Sequence, residues 1–298
     1  MSDPLHLEDW GGTGPVLHLA HANGFPPATY RRLIEVLKSR HHVFTLRGRC
    51  LVPGTDPRTM RSWDDMAEDL AQALRARGLS DVVGVGHSMG GVATLLASVK
   101  NPGLFRAVVT LDPVLFTGTR ALAIQALSLL GLRSRIPPAS LARRRREHWN
   151  SREEAAASYR KKALFRHFDA ECFQDYIAHG LTEAPGGGFR LTIPTAWEAR
   201  IFETSPHGVW RRLRSVAVPT LVLRGADSDT LTPAALEHVQ RTLPGVRTEE
   251  VPGTHLFPLE QPEACGQRIL SFLGAGPERA ARRPASLNTR HSPGPAGE

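Results

Sequence analysis

The sequence predicts an α/β fold with a mostly parallel sheet, helices on both faces of that sheet and a long helical insertion. Short apolar runs typical of β-strands alternate with runs of helical periodicity, an order that favours parallel strands joined by helices. Most strand candidates are apolar almost throughout, as expected for strands covered on both faces. The 298 residues, 41% of them hydrophobic, are enough to bury a sizeable core without a disulfide or a structural metal.

The individual elements follow from hydrophobic patterning and from Gly and Pro breaks. The strand candidates are Val16–Ala20, Val43–Leu46, Asp81–Val85, Ala107–Leu111 and Pro219–Arg224, with a weaker one at Arg247–Val251. Helices are expected at Thr29–Lys38, Ser62–Arg77, Met89–Lys100, Pro233–Thr242 and Pro262–Leu273.

The alternation of strands and helices stops near residue 117 and resumes near residue 216. The stretch 117–215 is rich in Ala, Leu and Arg, and Pro137-Pro138 interrupts it. We therefore expect a helical cap or lid, inserted between a first core part (1–116) and a second core part (216–274). The segment 275–298 is rich in Gly, Pro, Ala, Arg and Ser without periodicity, which predicts a disordered tail.

The net charge of +8 is concentrated in the insertion. Residues 120–214 hold 17 basic and 9 acidic side chains, a difference of +8. The densest run, Arg143–Arg146, is expected to be a solvated face, with a patch for an anionic partner as the alternative. No zinc-finger spacing, RNP-type aromatic stretch or Gly-rich phosphate loop accompanies it, so nucleic-acid binding is not expected.

Cysteine use and hydropathy favour a cytoplasmic protein. The odd number of cysteines (Cys50, Cys172 and Cys265), without a CxxC pair, argues against a disulfide framework and a cysteine-rich zinc site. No apolar run approaches the roughly 18 residues of a membrane span, so a transmembrane segment is not expected. The acidic N-terminal residues lack the order of a secretory signal.

The most informative segment is Ser80–Gly91, which reads SDVVGVGHSMGG. A buried strand runs into Gly86-His87-Ser88-Met89-Gly90 and a helical pattern follows at once, which is the context required of a G-x-S-x-G nucleophile elbow. Such a turn raises the Ser88 hydroxyl above the sheet and requires small neighbours, here Gly86 and Gly90. The positive N-terminus of the following helix then lies where negative charge develops.

With this motif the sequence resembles the α/β-hydrolase superfamily over about residues 16–273, and the insertion resembles that family's variable cap domain. The segment His21–Pro26 is similar to the family's oxyanion-hole loop, which usually reads His-Gly-x-Pro. The resemblance implies that the backbone N–H groups of Phe25 and Met89 form the oxyanion hole. Two residues, Ala22-Asn23, separate His21 from Gly24, so the register of the loop donor is open by one or two residues.

The segment Gly253-Thr254-His255 resembles the family's Gly-x-His loop after the last strand. A serine hydroxyl is a poor nucleophile and needs a general base, and the histidine pKa suits that task. The resemblance implies that His255 is this base.

The acid that completes the triad is left open by the sequence. The family often places it in a Gly-x-x-Asp pattern after a late strand, but this chain has Ser228 at that spacing, flanked by Asp227 and Asp229. Asp112 ends an earlier strand, a position that some members of the family use. We favour Asp112, with Asp229 and Asp227 as alternatives, because a carboxylate at either strand end can accept the imidazole N–H.

These residues predict a serine hydrolase that cleaves a carboxylic ester through an acyl-enzyme intermediate, without a metal or an organic cofactor. Thioester, lactone or amide hydrolysis at the same site is an alternative, as is a non-catalytic ligand-binding protein of this fold. The expected partner is a small-molecule acyl substrate. The arginine run and the aromatic side chains of the insertion favour an amphiphilic or anionic one.

Overall fold

The computed structural model describes residues 6–135, 137–206 and 208–275. Its strands are β1 (Leu7–Gly11), β2 (Val16–Ala20), β3 (His42–Leu46), β4 (Val82–His87), β5 (Phe105–Leu111), β6 (His148–Trp149), β7 (Leu181–Glu183), β8 (Phe189–Leu191), β9 (Thr220–Gly225) and β10 (Arg247–Val251). In this part of the chain the central sheet has seven strands in the order β1-β3-β2-β4-β5-β9-β10. Only the pair β1 and β3 is antiparallel within it.

Helices follow most of the parallel strands and return the chain to the next strand. The α-helices of the described residues are α1 (Arg31–Lys38), α2 (Trp63–Ala76), α3 (Met89–Lys100), α4 (Gly118–Leu129), α5 (Pro137–Arg143), α6 (Arg152–Arg160), α7 (Ala170–His179), α8 (Thr195–Glu203), α9 (Val209–Leu213), α10 (Pro233–Thr242), α11 (Phe257–Glu260) and α12 (Pro262–Gly274).

The sheet is buried on both faces because successive strand residues alternate between two hydrophobic cores. Val82 and Val222 pack into one core, which α2, α3 and α10 cover. Val83 and Leu221 point to the opposite face, where α1 and α12 cover the second core. The predicted fold class, a mostly parallel sheet with helices on both faces, is confirmed.

Element boundaries agree closely with the sequence-based prediction where the hydrophobic pattern is strong. Strand Val16–Ala20 and helix Met89–Lys100 coincide with their predicted limits. Two features were missed. Strand β1 is an antiparallel edge strand with only one buried residue, Leu7, and therefore lacks an apolar run. The insertion, mostly helical as expected, also contains a small antiparallel sheet in the order β6-β8-β7, whose strands are too short to show a pattern.

The insertion connects β5 to β9, so it leaves and rejoins the sheet at neighbouring strands. Carboxyl ends of parallel strands meet at one edge of a sheet, and this is where sites form in α/β folds. The loops that follow β2, β4, β5, β9 and β10 therefore converge beneath the insertion. The predicted tail lies outside the described residues except for Ala275.

Two further expectations concern the whole chain. No helix in the described ranges is both long and apolar enough to cross a membrane. All three cysteines (Cys50, Cys172 and Cys265) are buried free thiols, and burial raises the pKa of each thiol.

Candidate active site

Ser88 occupies a strained turn between β4 and α3. Strand β4 ends at His87 and helix α3 begins at Met89, so Ser88 is the only residue between them. Its backbone has φ 59° and ψ −121°, a conformation that costs free energy in a residue with a side chain and persists only where neighbours enforce it. The Ser88 N–H donates to the carbonyl oxygen of Leu111 at 2.9 Å, which fixes the turn to β5. The sharp bend predicted for the G-x-S-x-G segment is present.

Gly90 allows α3 to approach the loop after β2. A Cβ atom at this position would lie 2.5 Å from the carbonyl oxygen of His21 and 2.6 Å from that of Ala20. Both contacts are with backbone, so no side chain can move away to relieve them. Gly90 therefore brings the start of α3, and with it Ser88, against the His21–Pro26 loop.

Ser88, His255 and Asp112 form a continuous hydrogen-bonded chain. The Oγ atom of Ser88 lies 3.0 Å from Nε2 of His255, and Nδ1 of His255 lies 2.7 Å from Oδ2 of Asp112. Ser88 is 7% exposed and Asp112 is fully buried, whereas 22% of the His255 side chain is exposed toward the cavity above. An Asp carboxylate only accepts hydrogen bonds, so Nδ1 of His255 carries the proton and Nε2 is left to accept from Ser88.

Two further donors satisfy the Asp112 carboxylate. The N–H of Gly225 donates to Oδ1 at 2.9 Å, and the Ser228 hydroxyl donates to Oδ2 at 2.5 Å. Ser228 in turn accepts from the N–H groups of Thr230 and Leu231. The sequence-based prediction gave Ser228 no role. The available signal was that Ser228 stands where the usual Gly-x-x-Asp pattern has its aspartate.

The alternative acids Asp227 and Asp229 do not contact His255 in the described residues. The side chain of Asp227 makes no hydrogen bond there, and Asp227 is exposed. Asp229 borders the cavity, where its carboxylate accepts from its neighbour Thr230. Of the three candidates, only Asp112 is within hydrogen-bond distance of the imidazole.

The loop after β2 makes a tight turn beside Ser88. The Phe25 N–H, which the family resemblance assigned to the oxyanion hole, instead donates to the carbonyl oxygen of Ala22 at 3.2 Å. Gly24, with φ +83°, is the third residue of this turn. In the described part of the chain the N–H of Asn23 has no acceptor, and Asn23 borders the same cavity as Ser88. Met89, the first residue of α3, has a backbone N–H of the kind that helix geometry leaves without an intrahelical acceptor.

His87 lies in the core beneath the site and links neighbouring segments through hydrogen bonds. Its Nε2 lies 2.9 Å from the carbonyl oxygen of His255, and its Nδ1 lies 2.7 Å from the hydroxyl of Tyr30. A carbonyl oxygen only accepts, so Nε2 carries the proton and Tyr30 donates to Nδ1. Burial, together with the nearby His255, holds the pKa of His87 well below its usual value, so this imidazole is neutral.

A cavity of about 880 Å³ lies between these loops and the insertion. Ser88, Met89 and His255 form its floor with Asn23 and Phe25, and the insertion supplies most of the rest. The lining contributed by the insertion is mainly apolar and comprises Ala123, Ile124, Leu127, Pro137, Pro138, Leu141, Ala142, Tyr159, Leu164, Phe165, Tyr176, Ile201 and Phe202, with Arg120, Arg145, Lys162, Glu198 and Ser205 as the polar members.

The arginine run does not form one uniform solvated face, contrary to the sequence-based expectation. Helix α5 ends at Arg143, and the following turn points Arg145 inward. Its guanidinium pairs with Glu198 and donates to the hydroxyls of Tyr176 and, at 2.9 Å, Tyr159. Burial lowers the pKa of Arg145, but Tyr176 and Glu198 raise it by a larger amount. The guanidinium therefore stays charged.

The remaining arginines of the run stay at the surface. Arg143 pairs with Glu203 and Arg146 with Glu154, whereas Arg144 is exposed. The Arg146–Glu154 pair is exposed on both sides, and such pairs contribute little to stability, whereas Glu203 is buried.

The insertion is tied directly to the turn beside Ser88. The side-chain amide of Asn23 donates to the backbone carbonyl of Glu198 at 3.0 Å. A Cβ atom at Gly24 would lie 2.9 Å from Oε1 of Glu198 and 3.5 Å from Nη1 of Arg145. The Arg145–Glu198 pair therefore lies against the turn that carries the Asn23 N–H.

Comparison with known proteins agrees with this architecture. The profile of the alpha/beta hydrolase family matches residues 17–268. The chain is 25% identical over 281 residues to 2-(acetamidomethylene)succinate hydrolase of Mesorhizobium japonicum, which covers 89% of this chain and 90% of that protein. A crystal structure of E-2-(acetamidomethylene)succinate hydrolase superposes with a TM-score of 0.76 at 23% identity, covering 91% and 95% of the two chains.

A second solved structure, the N-formylmaleamic acid deformylase of Pseudomonas putida S16, has a TM-score of 0.64 at 19% identity, covering 89% and 95% of the two chains. At this identity the likeness concerns the fold. The family match and the fold together show that this chain belongs to the alpha/beta hydrolase family, whose relatives named here include hydrolases.

Proposed function

We propose that this protein is a serine hydrolase that cleaves a carboxylic ester or a related acyl bond, with Ser88 as nucleophile, His255 as general base and Asp112 as the acid. One observation carries the proposal: the unbroken chain from Ser88 Oγ to His255 Nε2 at 3.0 Å and from His255 Nδ1 to Asp112 Oδ2 at 2.7 Å. This series of hydrogen bonds lies at the floor of a cavity large enough for a small-molecule substrate.

The chemistry follows from the proton positions. His255 takes the Ser88 proton through Nε2 as the serine oxygen attacks the acyl carbon, and the imidazolium that forms is stabilised by Asp112. The same imidazolium protonates the leaving group, which leaves an acyl group on Ser88. A water molecule, deprotonated by His255, then releases the acid and restores the serine.

The negative charge of the tetrahedral intermediate requires two N–H donors. Phe25 does not suit this role because its N–H is already donated within the turn. We therefore assign the donors to Asn23 and Met89, a shift of two residues from the sequence-based prediction for the loop donor. The insertion would act as a cap, since it covers the cavity and holds Asn23 through Glu198.

The bond that is cleaved is proposed as an ester, with amide hydrolysis as the second candidate. The triad chemistry serves either acyl leaving group. The name of the Mesorhizobium relative designates an acetamido compound that carries a succinate, which favours the second candidate and a substrate with carboxylate groups. A cytoplasmic location stays a prediction.

Hydrolysis of a short p-nitrophenyl ester tests the proposal. Ser88→Ala should reduce turnover to the level of buffer, whereas Ser39→Ala, at an exposed serine, should match the wild type. Retention of wild-type turnover by Ser88→Ala would reject the mechanism. If the wild-type protein cleaves neither an ester nor an amide panel, the ligand-binding alternative gains support.

A further inference from the structure

Two cationic side chains of the insertion, Arg145 and Lys162, line the cavity that contains Ser88. They meet at Tyr159. The Lys162 Nζ atom lies 4.7 Å from the centre of the Tyr159 ring, and the Tyr159 hydroxyl accepts an N–H of Arg145 at 2.9 Å. The two cations therefore belong to one cluster on one wall.

This cluster lies close to the reacting end of the cavity. Nη1 of Arg145 is 3.5 Å from the position that a Cβ atom would take at Gly24. Gly24 follows Asn23, the residue to which we assign the loop N–H of the oxyanion hole. A group bound beside Arg145 would therefore lie near the turn that carries the Asn23 N–H.

The charges of the cluster do not cancel. Glu198 pairs with Arg145, but Lys162 has no carboxylate within ion-pair distance among the residues that the structure describes. Arg145, Lys162 and Glu198 together carry one excess positive charge. Burial and the neighbouring Arg145 lower the pKa of Lys162, and Glu198 offsets this effect only in part.

Arg120, another cation of the lining, also has no carboxylate within ion-pair distance in the described residues, but its guanidinium is held by other groups. Arg120 donates to the backbone carbonyl of Asp229 at 2.8 Å and lies over the ring of Phe116. Most of the remaining wall is apolar, with Ile124, Leu127 and Phe165 among its members. Among the cations of the described lining, Lys162 is therefore the one whose side chain has neither an ion pair nor a hydrogen bond, and it is open to an anionic group.

We propose that Lys162, supported by Arg145, binds a carboxylate of the substrate, and that the substrate is a half-ester or half-amide of a short dicarboxylic acid. The proposal rests on the proposed function and specifies its substrate class. In this arrangement the ammonium of Lys162 forms a charge-assisted hydrogen bond to the free carboxylate while the other acyl group of the same acid faces Ser88. The apolar wall accommodates the leaving group.

Selectivity between two esters of equal acyl length tests the carboxylate site. Ethyl hydrogen succinate and ethyl butyrate both have four-carbon acyl groups, and pH-stat titration measures their hydrolysis. Lys162→Met should lower the ratio of kcat/KM for the anionic over the neutral ester by about tenfold or more, the effect of losing one hydrogen bond to a charged group. Lys161→Met, at the neighbouring lysine that does not line the cavity, should leave the ratio unchanged.

A binding measurement separates this proposal from the hydrolase proposal. Calorimetric titration with sodium succinate should show binding to Ser88→Ala, and the double variant Ser88→Ala/Lys162→Met should bind about tenfold or more weakly. Such binding without any Ser88-dependent hydrolysis would support the anion site and reject the proposed function. An unchanged ester ratio in Lys162→Met, or equal succinate affinity in the two proteins, would overturn the anion site even if Ser88-dependent hydrolysis is observed.

Discussion

The imidazole of His87 donates to the backbone carbonyl of His255 across 2.9 Å, so the residue that precedes Ser88 holds the loop that carries His255. The same imidazole accepts from Tyr30, whose oxygen accepts the Ala22 N–H at 3.1 Å. One buried relay therefore joins three loops, those after β2, β4 and β10. Because buried hydrogen bonds are costly to leave unmade, the relay fixes the relative positions of these loops.

Tyr30→Phe should destabilise the protein and slow catalysis. The variant leaves the Ala22 N–H and Nδ1 of His87 without partners, and each buried unsatisfied group costs about 1–3 kcal/mol. We expect the free energy of unfolding, measured by urea titration, to fall by roughly the sum for the two groups. We expect kcat to decrease as well. Wild-type values for both quantities would show that the relay does not position the loops.

Asp112→Asn should nearly abolish turnover while the protein remains folded. An amide at this position can donate to Nδ1 of His255, which favours the tautomer with its proton on Nε2 and removes the acceptor for Ser88. A loss of kcat on the order of 10³–10⁴ is expected by analogy with the equivalent change in other triads. Asp227→Asn is the matched control, because Asp227 is exposed and its carboxylate makes no hydrogen bond among the described residues. A larger loss of kcat in Asp227→Asn than in Asp112→Asn would show that Asp112 is not the acid of the triad.

Ser228→Ala should reduce kcat and leave KM nearly unchanged. The variant removes the hydroxyl that donates to Oδ2 of Asp112, the same oxygen that accepts from His255. A hydrogen bond to a charged group contributes about 1.5–3 kcal/mol, so kcat is expected to fall roughly ten- to hundredfold. Ser215→Ala, at an exposed serine, serves as the control. Unchanged kcat in Ser228→Ala would mean that Asp112 is positioned without Ser228.

Acidification should destabilise the protein through His18. This side chain is buried in β2 without a hydrogen-bond partner in the described residues, and burial lowers its pKa to about 3. Below the unfolded value of about 6.5 the unfolded chain therefore binds a proton that the folded chain excludes, and stability falls as pH falls.

The pH dependence of the free energy of unfolding checks this effect. His18→Leu should reduce the slope between about pH 6 and pH 4 by about 1.4 kcal/mol per pH unit. His148→Gln, at an exposed histidine, should leave the slope as in the wild type. An identical slope in His18→Leu and the wild type would contradict a neutral, buried His18.

The fold and the outline of the candidate site could be predicted from the sequence because their signals are local. Buried parallel strands read as apolar runs, and the elbow around Ser88 carries its own glycines. His255 was identifiable from its loop context. In contrast, the chain offered several aspartates near strand ends, and only their distance from the imidazole separates Asp112 from Asp227 and Asp229.

Other features depend on contacts between distant segments. The His21–Pro26 loop carries two additional residues relative to the motif it resembles, and whether Phe25 or Asn23 has a free N–H depends on the turn that forms. Likewise, four consecutive arginines look equivalent in a sequence. Helix α5 ends at Arg143, and the turn that follows changes the direction of the next side chains. Of the four arginines only Arg145 therefore lines the cavity, where it pairs with Glu198.

Covalent labelling with a fluorophosphonate tests the central claim most directly, because such a probe reacts with a serine that an adjacent base activates. Intact-mass analysis and peptide mapping should find one adduct on the wild-type protein, at Ser88, and none on Ser88→Ala. His255→Gln should label far more slowly. A wild-type protein that stays unlabelled, or that carries the adduct at another serine, would contradict a nucleophile at Ser88.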